Sequence, residues 1–321
     1  MRTLTFAALA CAALAAASVP RIGAASAAAA VTPRIHAMPV IQDARVPSGP
    51  DGDCVLPVVI AVACVGAGTP MRYSGGAVNT HPGVYIVFWG WHGQDPSGEA
   101  AYQKRFFEGV GGSAWNSSQT QYCNSATANL VCPKGAKHVG NQTGVLLGTW
   151  ADNRNPVPWQ PTDLDIQAEA SRAASHFHRS TIAANANIQY VIDTPEGNST
   201  NGFGTKWCAY HGYFTSTYGG LSYTNFPYIT DGGASCGEDF VNKGSIGILD
   251  GVSIVAGHEF AESETDVAPS SGWTDAVGAE TGDKCAWITV GPGAAADVHL
   301  STGTFAVQSL WSNAALGCTL T

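Results

Sequence analysis

The segment from Ile254 to Asp266 reads Ile-Val-Ala-Gly-His-Glu-Phe-Ala-Glu-Ser-Glu-Thr-Asp, which sets His258, Glu259 and Glu262 in an H-E-x-x-E pattern inside an apolar run. Residues four apart share one face of a helix, so His258 and Glu262 can point at the same spot. Zinc hydrolases hold a metal this way, with the intervening Glu as general base. Here the second ligand position is Glu rather than His. On a helix at roughly 100° per residue, Glu262 falls about 40° from His258, Asp266 about 80° and Glu259 about 100°, while Glu264 falls on the far side, toward solvent. Carboxylates gathered on one face of a packed helix repel unless a cation compensates. The competing reading is a solvated acidic face.

A hydrolytic metal site needs a third protein ligand and one open position. Glu280 in Gly278-Ala279-Glu280-Thr281-Gly282-Asp283-Lys284-Cys285 is the preferred candidate, and Asp266 is the alternative. Eighteen residues separate Glu262 from Glu280, enough for a loop to return to the helix. Asp283 then suits an orienting role, accepting the free N–H of His258. Glu259 would take the proton of metal-bound water. The H-E-x-x pattern makes zinc the expected ion, but one imidazole with two carboxylates is a harder ligand set than two imidazoles, which would bind zinc less tightly and leave Mn, Fe or Ca open. Among aromatics, His211 suits oxyanion stabilisation, as do Tyr210 and Tyr213, against the plainer reading of a packing histidine. His176 and His178 read as surface residues near a helix end, and Trp89 and Trp91 as core.

The N-terminus reads as a secretory signal over residues 1–27, with Arg2, an apolar run from Thr5 to Ala17 and Ala25-Ser26-Ala27 as a cleavage site. Of nine cysteines, Cys11 lies in that signal and eight remain. An even number in an exported chain implies disulfides. Spacing favours Cys54–Cys64 and Cys123–Cys132, leaving Cys208–Cys236 and Cys285–Cys318. A net charge of −9 with no Lys/Arg cluster argues against nucleic acid and anionic membranes as partners. The expected product is secreted and monomeric, acting on a polypeptide or cell-wall substrate. The sequons at Asn116, Asn141 and Asn198 read as polar loop sites.

Residues 28–70 are Ala-, Pro- and Val-rich and read as a pro-segment or flexible arm, and 71–321 as the functional domain. Within it, Gly83–Trp89 reads as a strand buried on both faces. A helix is expected over Ser97–Gly109 with Ser97 as N-cap, then a strand over Val145–Trp150. A second helix opens at Thr162 and runs to Phe177, with Leu164, Ile166 and Ala168 apolar. Further strands are expected at Ile188–Ile192, Cys208–Phe214 and Phe226–Thr230, before an apolar helix over 245–268 ended by Pro269. Alternating strands and helices imply an α/β or α+β fold, a single zincin-like domain with a mixed sheet and a metal-bearing helix, braced by disulfides.

At these residues the chain resembles the phosphate-induced, EXORDIUM-like family of exported proteins, in its bacterial branch. The pieces that carry the resemblance are His81–Gly90, Tyr190–Ile192, Cys208–His211, Gly257–Glu262 and Glu280–Cys285. The helix and following Glu are also similar to the gluzincin metallopeptidase layout, with Glu262 in place of a His. The resemblance favours Glu280 and Asp283 over Asp266. Two readings follow: a secreted metal-dependent peptidase, or a noncatalytic extracellular wall-associated or signalling protein with a structural or degenerate site.

Overall fold

The computed structural model describes residues 34–41 and 68–321. Residues 1–27, read as a signal, and the expected Cys54–Cys64 pair lie outside the described residues. The strands are β1 (Arg34–Pro39), β2 (Arg72–Tyr73), β3 (Gly83–Trp89), β4 (Leu146–Asp152), β5 (Ile188–Asp193), β6 (Trp207–Ser216), β7 (Gly219–Phe226), β8 (Trp273–Thr274), β9 (Ala296–Leu300), β10 (Gly303–Val307), β11 (Leu310–Ser312) and β12 (Gly317–Thr319). The α-helices are α1 (Glu99–Val110), α2 (Ala114–Ser117), α3 (Asp163–His176), α4 (Ile182–Asn185) and α5 (Asp250–Thr265).

Six strands form one mixed sheet in the order β1-β6-β7-β5-β3-β4, an α/β arrangement. The pairs β4–β3, β3–β5 and β5–β7 are parallel; β7–β6 and β6–β1 are antiparallel. β3 alternates its apolar side chains between two layers, as a central strand must. Val84 and Ile86 join the core shared with Phe106, Phe107, Val255 and Phe260 of α1 and α5. Tyr85, Val87 and Trp89 join Ile166, Ala170, Ala173 and Ala174 of α3 on the opposite face. Trp89 and Trp91 are buried, as expected.

Several expected boundaries shift. Residues 34–39, assigned by sequence to an arm, form the edge strand β1. Gly98, not Ser97, is the N-cap of α1, because the Asp95 carboxylate already receives the N–H groups of Glu99 and Ala100. Gly109 stays inside that helix, which ends at Gly111. Thr162 caps α3 through a reciprocal capping box with Asp165, but Leu164 and Ala168 point to solvent and the inward face is Ile166, Ala170, Ala173 and Ala174. The strand expected at Phe226–Thr230 is instead β7, reaching back to Gly219, and a 3-10 turn follows it from Ile229.

All sixteen residues of α5 are buried, and a helix enclosed on every side has no solvent face for charge. Glu264, expected toward solvent, is therefore inside, where it accepts a hydrogen bond from Asn116 Nδ2 at 3.2 Å. Asn116, read as a polar loop site, is correspondingly buried in α2. Gly257 lets α5 approach its neighbours: an added Cβ would lie 3.0 Å from the Trp115 ring. The disulfides among the described residues are Cys123–Cys132, expected from its spacing, and Cys208–Cys236 and Cys285–Cys318, the pairs expected of the remaining cysteines.

Candidate metal centre

The middle of α5 faces the β1–β6 end of the sheet. His36 of β1 and His211 of β6 sit directly opposite each other, and paired residues on antiparallel strands project from the same face. That face is turned to α5. The loop carrying Glu280 and Asp283 closes the other side, held by a hydrogen bond from Trp311 N to Thr281 O and by the Cys285–Cys318 disulfide.

Two imidazoles are fixed by their Nδ1 atoms. His211 Nδ1 lies 3.2 Å from Glu259 Oε2, and His258 Nδ1 lies 3.1 Å from Gln308 Oε1. Gln308 Nε2 donates to Gly282 O at 2.7 Å, which sets its amide so that the oxygen faces His258. With Nδ1 as the donor, each ring presents Nε2 inward. His211 Nε2 is 3.4 Å from Glu280 Oε2, and His258 Nε2 is 3.1 Å from Glu262 Oε1 and 3.8 Å from Asp283 Oδ1. Neither Nε2 has a hydrogen-bond partner in the protein, nor do Glu262 Oε2 and both carboxyl oxygens of Glu280. All four residues are fully buried. Buried polar atoms are rarely left without a partner, so His211 Nε2 and the free carboxyl oxygens of Glu262 and Glu280, which converge, mark a place that suits another group.

Donor atoms converge in two triads that share Glu262: His211 with Glu262 and Glu280, and His36 with Glu262 and Asp283. Within each, the donor atoms lie within 4.8 Å of one another. A tetrahedral ion about 2.1 Å from its donors needs donor–donor spacings of about 3.4 Å. The His211–Glu280 separation of 3.4 Å matches that spacing, and the remaining separations in the triad lie within 4.8 Å.

The fields in the site follow from burial and neighbours. Burial pushes Glu259 up to about 7, with His258 and His36 opposing, so it is poised to take a proton near neutral pH. Burial, then the charges of Glu262, Asp266 and Asp283, hold Glu280 well above the usual carboxylate range, and burial with Asp283 raises Glu262. Burial lowers His211 to about 4 against the pull of Glu262, which leaves its ring neutral, as a metal ligand requires. Burial also acts to lower His258, but the charge of Glu262 beside its Nε2 outweighs it and raises the ring to about 9. His36 rises to about 10 because Asp283, 2.5 Å from its Nε2, overcomes burial.

The sequence-derived candidates are thus distributed as follows. His258, Glu259, Glu262, Glu280, Asp283 and His211 meet in one place. The orienting role expected of Asp283 toward His258 belongs to Gln308; Asp283 instead stands on the Nε2 side and binds His36. Asp266 directs its carboxylate into the loop after α5, accepting from the backbone N–H groups of Ser270, Ser271 and Gly272, and bears on the site through Glu280 and through its charge on His211. Glu259 is bound to His211 Nδ1, so it orients that imidazole as well as facing the site. His36, Gln308 and Gly282 escaped the sequence reading. Gly282 leaves no room for a side chain: a Cβ there would lie 2.7 Å from His258 Nδ1 and 2.9 Å from Glu262 Oε1. His176 lies on the surface, stacked on Trp150.

No family model, curated protein or solved structure matches the chain.

Proposed function

We propose that this is a secreted metal-dependent hydrolase acting on polypeptides. Its ion would be held by His211, Glu262 and Glu280, with His258 beside Glu262. The observation that carries this reading is the pair of buried imidazoles whose Nδ1 atoms are anchored while both Nε2 atoms lack partners beside Glu262 and Glu280. A bound divalent ion supplies Lewis acidity and lowers the pKa of a water molecule toward neutrality. Glu259, raised to about 7, accepts a proton and returns it to a leaving amine. Export accords with three disulfides among the described residues, and no described helix is long and apolar enough to cross a membrane.

A second reading has its own support. The donors are closed off from solvent, as in structural metal sites, which keep no open position. That favours a noncatalytic extracellular protein whose ion only holds α5 to the Glu280 loop. Metal analysis of the purified protein, followed by hydrolysis of an unfolded polypeptide with and without chelator, separates the two. The hydrolase reading expects about one ion per chain, chelator-sensitive turnover, and a loss of roughly 10²-fold or more in Glu259→Gln. Bound ion with no turnover leaves the structural reading, and absence of any ion sinks both.

A further inference from the structure

One side of the centre is covered by β1. β1 is the edge strand of the sheet, and it precedes every other described element in the chain. It runs antiparallel along β6 from Arg34↔Tyr213 to Met38↔Ala209, with an irregular step before Pro39. Two of its groups enter the centre. His36 reaches Asp283 at 2.5 Å and Glu280 at 3.5 Å, and the backbone N–H of Met38 points to Glu259 Oε1 at 3.4 Å. The group named above as proton acceptor is therefore covered by the main chain of a strand that pairs with the sheet only on one side.

Its side chains divide between core and surface. Met38 and Val40 enter the core, whereas Arg34, Ile35 and Pro39 are exposed and His36 and Ala37 are half-buried. Outside the ladder and the centre, its hydrogen bonds to other described residues run from Val40 N to Lys206 O, from Ile41 N to Ser235 O and from Trp287 Nε1 to Pro39 O. Every other strand of the sheet except β4, at the far edge, is paired on both sides. Without β1, β6 presents an open row of N–H and C=O groups beside His211, Glu259 and Glu280. An unpaired sheet edge takes up an extended peptide by main-chain pairing, with pockets for alternate side chains.

We infer that the edge of β6 is the binding site for an extended polypeptide, and that residues 34–39 are its internal occupant, a strand that must leave before another can pair there. The inference rests on the hydrolase reading for what happens to the bound chain, but not for the binding itself. A polypeptide lying along β6 in the place of β1 sets a main-chain amide where Met38 N now meets Glu259, and places a residue of its own where His36 now meets Asp283 and Glu280. This also accounts for a centre that is closed and yet equipped with a proton acceptor.

The test uses the full chain. Arg34→Cys with Tyr213→Cys joins β1 to β6 across a facing pair, and His36→Ala removes the strand's anchor in the centre. The probe is a fluorescently labelled peptide with the sequence of residues 34–41, followed by anisotropy. The peptide is expected to bind His36→Ala at least tenfold more tightly than the parent chain, because freeing the edge removes the penalty of a mostly occupied site. Binding is expected to vanish in the oxidised double-cysteine chain and to return on mild reduction that leaves the parent's binding unchanged. Equal binding by the oxidised and reduced forms overturns the proposal, as does no gain in His36→Ala with unchanged circular dichroism. If the double-cysteine chain does not fold, His36→Ala decides alone. Turnover of an unfolded polypeptide is read separately. Binding without turnover removes the hydrolase and keeps the strand exchange; turnover indifferent to the cross-link does the reverse.

Discussion

Gln308 illustrates what a single side chain does for this centre. It accepts from His258 Nδ1 and donates to Gly282 O, so it fixes both the imidazole and the loop that brings Glu280 and Asp283. Loss of such an outer partner typically costs 10–100-fold in metal affinity. Gln308→Ala is expected to weaken zinc binding by about that factor while leaving the fold intact, measured by competition with a chromophoric chelator. An unchanged affinity would show that the loop carrying Glu280 keeps its place without Gln308. In the sequence, His258, Glu259 and Glu262 were legible because helical periodicity ties their positions together. Gln308 was not, since a glutamine in a Gly-Ala-Ser-rich tail carries no local pattern and acquires its role only when β10 packs on α5. His36 was hidden for the same reason: only strand pairing over long range sets it opposite His211. Asp283 was found, but its partner was not, because spacing gives proximity to a helix and not which ring nitrogen it meets.

At the scale of elements, the site depends on how closely the Glu280 loop approaches α5. Asp283 N donates to Glu262 Oε1 at 3.0 Å and Glu280 N donates to Asp283 Oδ2 at 2.9 Å, so the loop's own backbone orients the carboxylates. Gly282 stands where a methyl group would press on His258 and Glu262 together. Overpacking at such a position costs about 1–3 kcal/mol, and here it must push the loop away from the helix. Gly282→Ala is expected to lower the urea midpoint by an amount in that range and to abolish high-affinity zinc binding. Retention of both would mean the loop gives without cost. The strands β3 and β5 were readable as strands, β3 from an apolar run bounded by turn residues that suits burial on both faces. The sheet's edge was not, because Arg-Ile-His-Ala-Met-Pro alternates no faces and lies in a stretch with the composition of an arm.

Across the whole molecule, buried carboxylates set the response to pH. Glu99, whose carboxylate receives N–H groups from Ile229 and Thr230, is nonetheless raised to about 8 by burial. Its folded pKa lies above the unfolded value, so between about 4.5 and 8 the folded chain holds a proton that the unfolded chain has lost. Stability from this group is present at low pH and falls as pH rises, at up to about 1.4 kcal/mol per unit. Glu99→Gln is expected to flatten that decline, seen as a smaller drop in urea midpoint from pH 5 to 8; an unchanged slope would place the titration elsewhere. The metal centre adds a linkage of its own. Glu280 is held well above the ordinary range, His258 at about 9 and Glu259 at about 7, so the cation-free site carries protons near neutral pH. A divalent ion takes only the deprotonated donors and must displace protons on entry. Zinc affinity should therefore rise with pH through the neutral range. Calorimetric titration at pH 6.5 in buffers of different ionisation enthalpy is expected to show release of about one proton or more per ion bound. Zinc uptake without proton release would mean that the ion seats somewhere other than among these carboxyl and imidazole groups, because Glu262 and Glu280, buried this deeply, cannot accept a dication and keep their protons.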